Sequence, residues 1–519
     1  MNRSVESEES ATQRPRPEAR TTRRQIRGSS LLLIGRGLSM AVNFGVQILI
    51  VRYFSKPEFG AYAYALSVVN VAYTFVTFGL DRAVTRFVPI YEEQGAYAKL
   101  FGTLALAFGA VLSLGTLALI AIYGLRGWIE DALIGDPLVL SVLVVLILMA
   151  PIRALGDVFL GLMAVFASPR AIFFRRHILP PLLRAVLVGV LIAGQFDVVF
   201  FAAGTVVTSI IGSLAYVVVL ANVMRRRGLF GRFDRASLRI PFREVLGFTV
   251  PLLTSDLVFV VMHASDALLL GYFHNAQAVA EFRVVQPAAD LNVLVMGSFT
   301  LLFTPMAARL FARHDHAGIH ELYWRTAAWM AILSLPIFLL TFSLAGDVVV
   351  ALYGDPYQAS GVYLTLLALG YYFNAALGFN GLTLKVFGKV RYVVIINLAV
   401  AVLNVALNLL LIPSFGALGA AIGTLIAMVV HNFLKQAGLQ LVAGLSIFDP
   451  EYARLYALIA LSSVGLLAIQ LLLHPPLYIG FVLAAGISLA VTVLNRKLLD
   501  VPRTFPELLR IPLVRRIFG

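Results

Sequence analysis

Long apolar runs alternate with short polar breaks along the chain. A bilayer core about 30 Å thick needs about 20 apolar residues per helix. Runs of that length without a charge cluster recur about fourteen times, at 29–52, 60–80, 101–123, 138–165, 178–196, 198–223, 246–273, 285–308, 326–350, 361–384, 392–413, 417–442, 453–474 and 477–495. Stretches such as LALIAIY and VLVVLILM are apolar at consecutive positions. A barrel strand would alternate polar and apolar residues, so the pattern predicts helices.

The breaks alternate in charge. Cytoplasmic loops carry the Lys and Arg excess of a membrane protein, and an inside amino terminus places 35 of the 41 basic residues on the cytoplasmic side. Arg36, Arg52, Lys56, Arg126, Arg153 and Arg283 are the six left over. The expected location is the cytoplasmic membrane, multi-pass, with both termini in the cytoplasm. Residues 1–28 are polar, with Pro and Arg, and are expected to form a disordered cytoplasmic tail. The first apolar run is too long for a signal peptide and carries Arg36.

Composition agrees with this pattern. The 519 residues are 60% hydrophobic and 13% charged, against roughly 45–50% and 25% in soluble domains. A net charge of +14 would suggest nucleic acid on a soluble chain; here the basic residues lie between apolar runs, so anionic lipid is the expected partner and no nucleic acid is. Without cysteine there is no disulfide, thiolate metal site or cysteine nucleophile.

An internal repeat is also visible. Tyr53-Phe54 and Tyr272-Phe273 lie 219 residues apart, and GLMAVFASPR from Gly161 echoes GLTLKVFGKVR from Gly381 at a spacing of 220. These spacings predict a duplicated six-helix unit, with both copies entering the membrane from the same side. The expected organisation is a cytoplasmic tail (1–28), a first six-helix lobe (29–223), a basic linker (224–245), a second six-helix lobe (246–442), an appended two-helix hairpin (453–495) and a basic cytoplasmic tail (496–519). The fold class is therefore all-α: a polytopic membrane protein of two pseudo-symmetric lobes and a hairpin.

Four segments carry a family likeness: RYFSKPEFGAYAYA at 52–65, FGLDRAVTRFVPIY at 78–91, GLMAVFASPRAIFFRRHILPPLLR at 161–184 and VPLLTSDLVFVVMHASDALLLGYF at 250–273. In their order and spacing the chain resembles the polysaccharide-transporter branch, including O-antigen-type flippases, of the multidrug, oligosaccharidyl-lipid and polysaccharide exporter superfamily. The resemblance runs to about residue 442. It implies two lobes around a central cavity, alternating access, and transfer of a polyprenyl-diphosphate-linked oligosaccharide between leaflets. Where relatives commonly show Gly-x-Tyr after the seventh helix, this chain reads AEFRVVQP.

Ionisable groups at bilayer depth are costly unless they face a partner or a wet cavity, so each is a functional candidate. Arg36, Asn43 and Gln47 share one stripe of the first helix. Arg36 reads either as a cavity cation for a diphosphate or acidic sugar or as a side chain snorkelling to the interface. Arg52, Arg153 and Arg283 complete the substrate-binding candidates. Asp256, His263 and Asp266 on the seventh segment are ion-coupling candidates for H⁺ or Na⁺; alternatively Asp256 pairs with an arginine across the lobes, with Arg36 placed for it by the repeat. Arg153 and Asp157, at i and i+4, are expected to neutralise each other. Asn374, Lys385, Asn397, Asn404 and Asn408 keep to helical stripes, where amides tie helices together. Asp81 and Arg82 sit at the inner mouth.

No GxxxxGK[ST] is present, which removes a built-in ATPase, and the outer loops are too short for a catalytic domain. His314, His316 and His320 read as a solvated turn rather than a metal site. No catalytic residue, bound cofactor or metal is expected. The sequence thus points to a non-enzymatic flippase for lipid-linked oligosaccharide, with glycosyltransferases or a polymerase of the same pathway as neighbours. The rival reading is a cation-coupled multidrug or metabolite exporter. Cavity charge separates them: an anionic glycolipid needs net-positive walls, a cationic drug needs carboxylates.

Overall fold

The structure, a computed structural model, describes residues 17–130, 135–166, 173–232, 238–444, 446 and 449–500. Among these residues every regular element is a helix. The first group comprises α1 (Pro17–Tyr53), α2 (Lys56–Thr77), α3 (Leu80–Glu93), α4 (Tyr97–Gly124), α5 (Pro137–Leu146), α6 (Met149–Phe166), α7 (Leu179–Ala193) and α8 (Val198–Arg226). The second comprises α9 (Phe242–Phe273), α10 (Ala276–Arg283), α11 (Leu294–Ala312), α12 (His316–Phe338), α13 (Ala345–Tyr353), α14 (Ser360–Ala376), α15 (Asn380–Val386) and α16 (Val390–Ala443). A hairpin of α17 (Pro450–Leu473) and α18 (Leu477–Leu494) follows.

Local chemistry sets the helix ends. Asp136, Asp197 and Asn275 accept backbone N–H bonds from Leu138, Phe200 and Ala278 and so start α5, α8 and α10. Pro137 adds a pre-set first-turn φ. Between α2 and α3 the chain breaks at Phe78 and Gly79, both left-handed. Gly79 there lies against Thr249 and Leu252 of α9.

Eleven helices among the described residues are long and apolar enough to cross a membrane, and the bent pair Ala276–Thr300 with Leu302–Ala312 adds a twelfth. The 54-residue α16 makes two passes. Pro413 interrupts its hydrogen bonding and Gly416, at φ 53° and ψ −131°, reverses the chain. Tyr392 Oη consequently donates to the Leu434 carbonyl at 3.0 Å; a straight helix would hold these residues about 60 Å apart. With α1, these passes account for the apolar runs seen in the sequence.

Element starts follow the repeat. Lys56 and Ala276 begin equivalent helices 220 residues apart, and Tyr97 and His316 do so at 219. Across the two groups α2 packs on α9 and α10, close enough that a Cβ on Gly60 would run into the Ala276 carbonyl. The α17–α18 hairpin packs on α12 and on the π-turn Leu339–Ser343 that follows it. Ser343 Oγ donates to the Ser463 carbonyl at 2.9 Å and Trp329 Nε1 to the Leu499 carbonyl at 3.2 Å.

Two expectations need correction. The stretch 17–28, read as disordered, is helical from Pro17; proline fits a first helical turn, and the Glu, Ala and Arg behind it favour helix. The linker 224–245 is helical to Arg226 and again from Phe242. Residues 1–16, 233–237 and 501–519 of the expected tails and linker lie outside the described residues.

Candidate functional site

Loops carrying most of the arginines share one face. There Arg227 Nη2 bonds the Phe166 carbonyl and the Arg239 N–H bonds the Ala98 carbonyl. The turns at 53–55, 194–197, 274–276 and 351–358 form the opposite face, where Tyr53 Oη donates to the Phe196 carbonyl at 2.7 Å.

Between these faces a cavity of about 520 Å³ opens inside the first group of helices, within the range of small-molecule pockets. It is bounded by α1, α2, α6, α7 and α8. Arg153 on α6 enters it with Nη1 donating to Asn70 Oδ1 at 2.9 Å and its guanidinium 4.9 Å from the centre of the Tyr73 ring. The Tyr73 hydroxyl in turn donates to Asp157. Arg184 on α7 donates from Nη2 to Gln47 Oε1 at 3.2 Å. Asn43, Thr205, Thr208 and Ser209 add amides and hydroxyls, and Tyr216 a ring whose hydroxyl donates to the Arg175 carbonyl at 3.1 Å. Among the described residues no ion pair reaches Arg153 or Arg184.

That geometry corrects the pairing expected from i, i+4 spacing. Arg153 and Asp157 do not neutralise each other, because Tyr73 stands between them, taking the cation on its face and the carboxylate on its hydroxyl. Asn43 lines the cavity, and Gln47 on the same stripe accepts from Arg184 in its wall. Arg184 lay unnoticed among the basic residues of a loop, although its place inside the apolar run 178–196 was the available signal.

Arg36 lies outside this chamber. Its guanidinium crosses to α11, about 3.8 Å from where a Cβ on Gly297 would stand. It is exposed, and no hydrogen bond or ion pair reaches it among the described residues. Arg36 thus reaches from the first group of helices to the second.

Arg52 and Arg283, expected in a substrate cavity, are used elsewhere. Arg52 donates to the Leu352 and Ala351 carbonyls at 2.8 and 2.5 Å. Those carbonyls end α13, where free C=O groups carry partial negative charge. Arg283 donates to Gln286 at 2.7 Å, to Ser67 Oγ on α2 at 2.9 Å and to the His263 carbonyl at 3.0 Å. Both arginines therefore join the two groups of helices.

The three ion-coupling candidates separate. Asp256 pairs with Arg82 at 2.9 Å, not with Arg36, because the break at Phe78–Gly79 turns α3 towards α9. His263 rests on Phe259, ring centres 4.0 Å apart, with Nδ1 2.8 Å from the Phe259 carbonyl. Asp266 alone is fully enclosed, at 3% exposure. It accepts from Asn408 Nδ2 at 2.6 Å and from Thr424 Oγ1 at 3.5 Å, while Asn404 Oδ1 accepts from Ser265 Oγ at 3.2 Å. Asn404 and Asn408 thus tie α16 to α9, as amides on such stripes do. The histidine turn shows His320 3.9 Å from Asp449, with Asp315 capping Gly318.

These two polar centres occupy equivalent positions of the repeat. Arg184 and Thr205 line the first, with Gln47 bonded to Arg184; Asp266, Asn404 and Thr424 lie 219, 220 and 219 residues beyond Gln47, Arg184 and Thr205 and form the second.

A family described as polysaccharide biosynthesis protein matches residues 26–311, more than half of the chain. The chain belongs to this family. Residues 251–410 also match the MatE family, which places the protein in the polysaccharide-transporter branch of the multidrug, oligosaccharidyl-lipid and polysaccharide exporter superfamily. It is a multi-pass membrane transporter, not an enzyme. An uncharacterized membrane protein of Methanocaldococcus jannaschii is 21% identical over 421 residues, covering 77% of this chain and 80% of the relative. The probable flippase AglR of Haloferax volcanii is 24% identical over 172 residues, 33% of this chain and 36% of the relative. Among solved structures, the lipid II flippase MurJ in an inward closed conformation superposes with a TM-score of 0.69 at 14% identity, over 90% of this chain and 99% of that one. An inward-facing MATE family multidrug transporter gives 0.59 at 13% identity, over 78% and 96%. Both share the two-lobed helical fold.

In this transporter the lobes are bridged at both faces, unequally. On the opposite face Lys56 meets Glu281 at 2.7 Å with side chains only 17% and 20% exposed. The Lys56 ammonium also lies 5.5 Å from the centre of the Tyr357 ring, whose phenol is pushed up by burial and by the Glu281 carboxylate. On the arginine-rich face Arg82–Asp256 is 48% and 30% exposed and Lys99–Glu244 41% and 49%. Exposed pairs contribute little, about 0–1 kcal/mol each. The opposite face carries the firmer closure.

Proposed function

We propose that the protein translocates a polyprenyl-diphosphate-linked oligosaccharide across the cytoplasmic membrane for surface polysaccharide synthesis. The arginine-rich face is cytoplasmic in this reading, by the positive-inside rule. The carrying observation is the sign of the interior: Arg153, Arg184 and Arg36 have no carboxylate partner among the described residues, against Asp157 in the chamber wall. Cations left without counter-ions at membrane depth suit an anionic cargo, whose phosphate oxygens match guanidinium forks. Rocking of the lobes exposes Arg36 and the chamber first to the cytoplasm, where the weaker bridges open, then to the outside once Lys56–Glu281 parts. Glycosyltransferases or a polymerase of the same pathway supply and consume the cargo.

Asp266 supplies the coupling centre of this reading. A carboxylate with amide and hydroxyl oxygens around it can take up Na⁺ or a proton. That centre and the match to the MatE family also support a second reading, export of a cationic drug driven by an ion gradient. Replacing Arg36 by Ala tests the choice in cells. Glycan export should stop, with lipid-linked oligosaccharide accumulating on the cytoplasmic leaflet while the protein remains folded and inserted. Normal glycan export together with lost efflux of a cationic dye would instead favour the drug exporter.

A further inference from the structure

We propose that the chamber inside the first lobe is a saccharide subsite for one carboxylate-bearing sugar of the transported glycan, separate from Arg36, which meets the diphosphate. The proposal rests on the flippase reading and adds what the chamber itself recognises.

Charge comes first. Two guanidiniums and one carboxylate give the walls a single net positive charge, which one monoanionic sugar balances. A diphosphate would bring a second negative charge against Asp157. Donor capacity agrees: each guanidinium has five N–H donors, and among the described residues one on Arg153 and one on Arg184 are used. The unused donors form planar forks that match a carboxylate. Asp157, already accepting from Tyr73, keeps acceptor capacity for a sugar hydroxyl. Asn43, Thr208 and Ser209 pair with the remaining hydroxyls, and Tyr216 offers a ring face. The equivalent centre of the second lobe shows what a closed version looks like: there Asp266 is enclosed by Asn408 and Thr424 and is 3% exposed. The first lobe keeps its charge open to a cavity of about 520 Å³.

The test uses the full chain in lipid nanodiscs, with glucuronate, glucose and inorganic phosphate as probes read by saturation-transfer NMR and calorimetry. Glucuronate should bind, and glucose should bind about tenfold or more weakly, the loss of one charge-assisted pair. Arg153→Gln and Arg184→Gln should each weaken glucuronate about tenfold. Gly212 lines the chamber and a Cβ there meets nothing within 4 Å, so Gly212→Leu fills the space without disturbing either arginine and should abolish binding. Glucose binding as tightly as glucuronate, phosphate displacing glucuronate, or binding that survives Gly212→Leu would each overturn the proposal. Reconstituted vesicles separate this claim from the flippase reading. If no lipid-linked glycan crosses while glucuronate still binds, the flippase reading fails and the binding site stands. If glycans do cross, Gly212→Leu should slow an acidic one about tenfold more than a neutral one on the same lipid; equal slowing contradicts an acid-selective subsite.

Discussion

The two lobes place polar centres at equivalent positions and give them opposite chemistry. In the first lobe the trio is Gln47, Arg184 and Thr205, beside Arg153 and a cavity. In the second it is Asp266, Asn404 and Thr424, with Asn408 closing the carboxylate and packing so tight that a Cβ on Gly423 would press on Asn408 Oδ1 at 2.7 Å. One scaffold position thus serves a cation beside a cavity and an enclosed anion. The side chains at these equivalent positions carry the difference. A duplicated bundle can therefore divide its work, with cargo on one side and coupling on the other, because each copy can mutate its centre without moving the helices that hold it.

The largest effect should come from emptying the first centre. Arg153→Ala with Arg184→Ala removes both charge-assisted donors, each worth about 1.5–3 kcal/mol. Transport of an acidic lipid-linked glycan in vesicles should fall about a hundredfold or more; a loss below threefold would detach the chamber from transport. Next is Asp266→Asn, which keeps the size of the side chain and removes its charge. Transport should lose its dependence on an imposed proton or sodium gradient and slow about tenfold, and a retained dependence would move the coupling elsewhere.

A third variant makes the first lobe imitate the second. Gln47→Glu keeps the side-chain length and puts a carboxylate oxygen where the amide oxygen now accepts from Arg184 at 3.2 Å. The resulting ion pair should quench anion binding about fivefold to tenfold, as one neutralised charge at this range would; unchanged glucuronate affinity would show that Arg184 does not face the ligand. The smallest effect belongs to the outer closure. Lys56→Gln removes the charge of one largely buried pair and should raise labelling of a Ser209→Cys reporter by a membrane-impermeant thiol reagent several-fold from the outside. The native chain has no cysteine to confuse that measurement. No change in labelling would mean that the Lys56–Glu281 pair does not hold the outer side shut.

The contrast also shows which parts of the molecule a sequence exposes. Membrane passes are set by run length and desolvation, so all the long helices were legible, including the two hidden in α16, where Pro413 and Gly416 mark the reversal. The repeat was legible from two short echoes. Asn43, Gln47 and Asp266 stood out because polar groups are rare in such runs. Pairing was not legible. Helical spacing joined Arg153 to Asp157, and the repeat joined Asp256 to Arg36, yet Tyr73 and Arg82 took those partners from other helices. Contacts between helices depend on how the broken span at Phe78–Gly79 redirects α3, which no periodicity records. Arg184 does not stand out in the sequence because Arg175 and Arg176 closely precede it, although it lies inside the apolar run 178–196.

The central claim is that anionic, lipid-linked glycan passes through a cationic interior. Its most direct test is flipping of a fluorescent polyprenyl-diphosphate oligosaccharide in vesicles holding the purified protein, comparing the native chain with Arg36→Ala. The native protein should move the lipid to the protected leaflet and the variant should leave it where it was added, both with the same folded helix content. Equal rates in the two, or movement only of a cationic drug, would contradict the account.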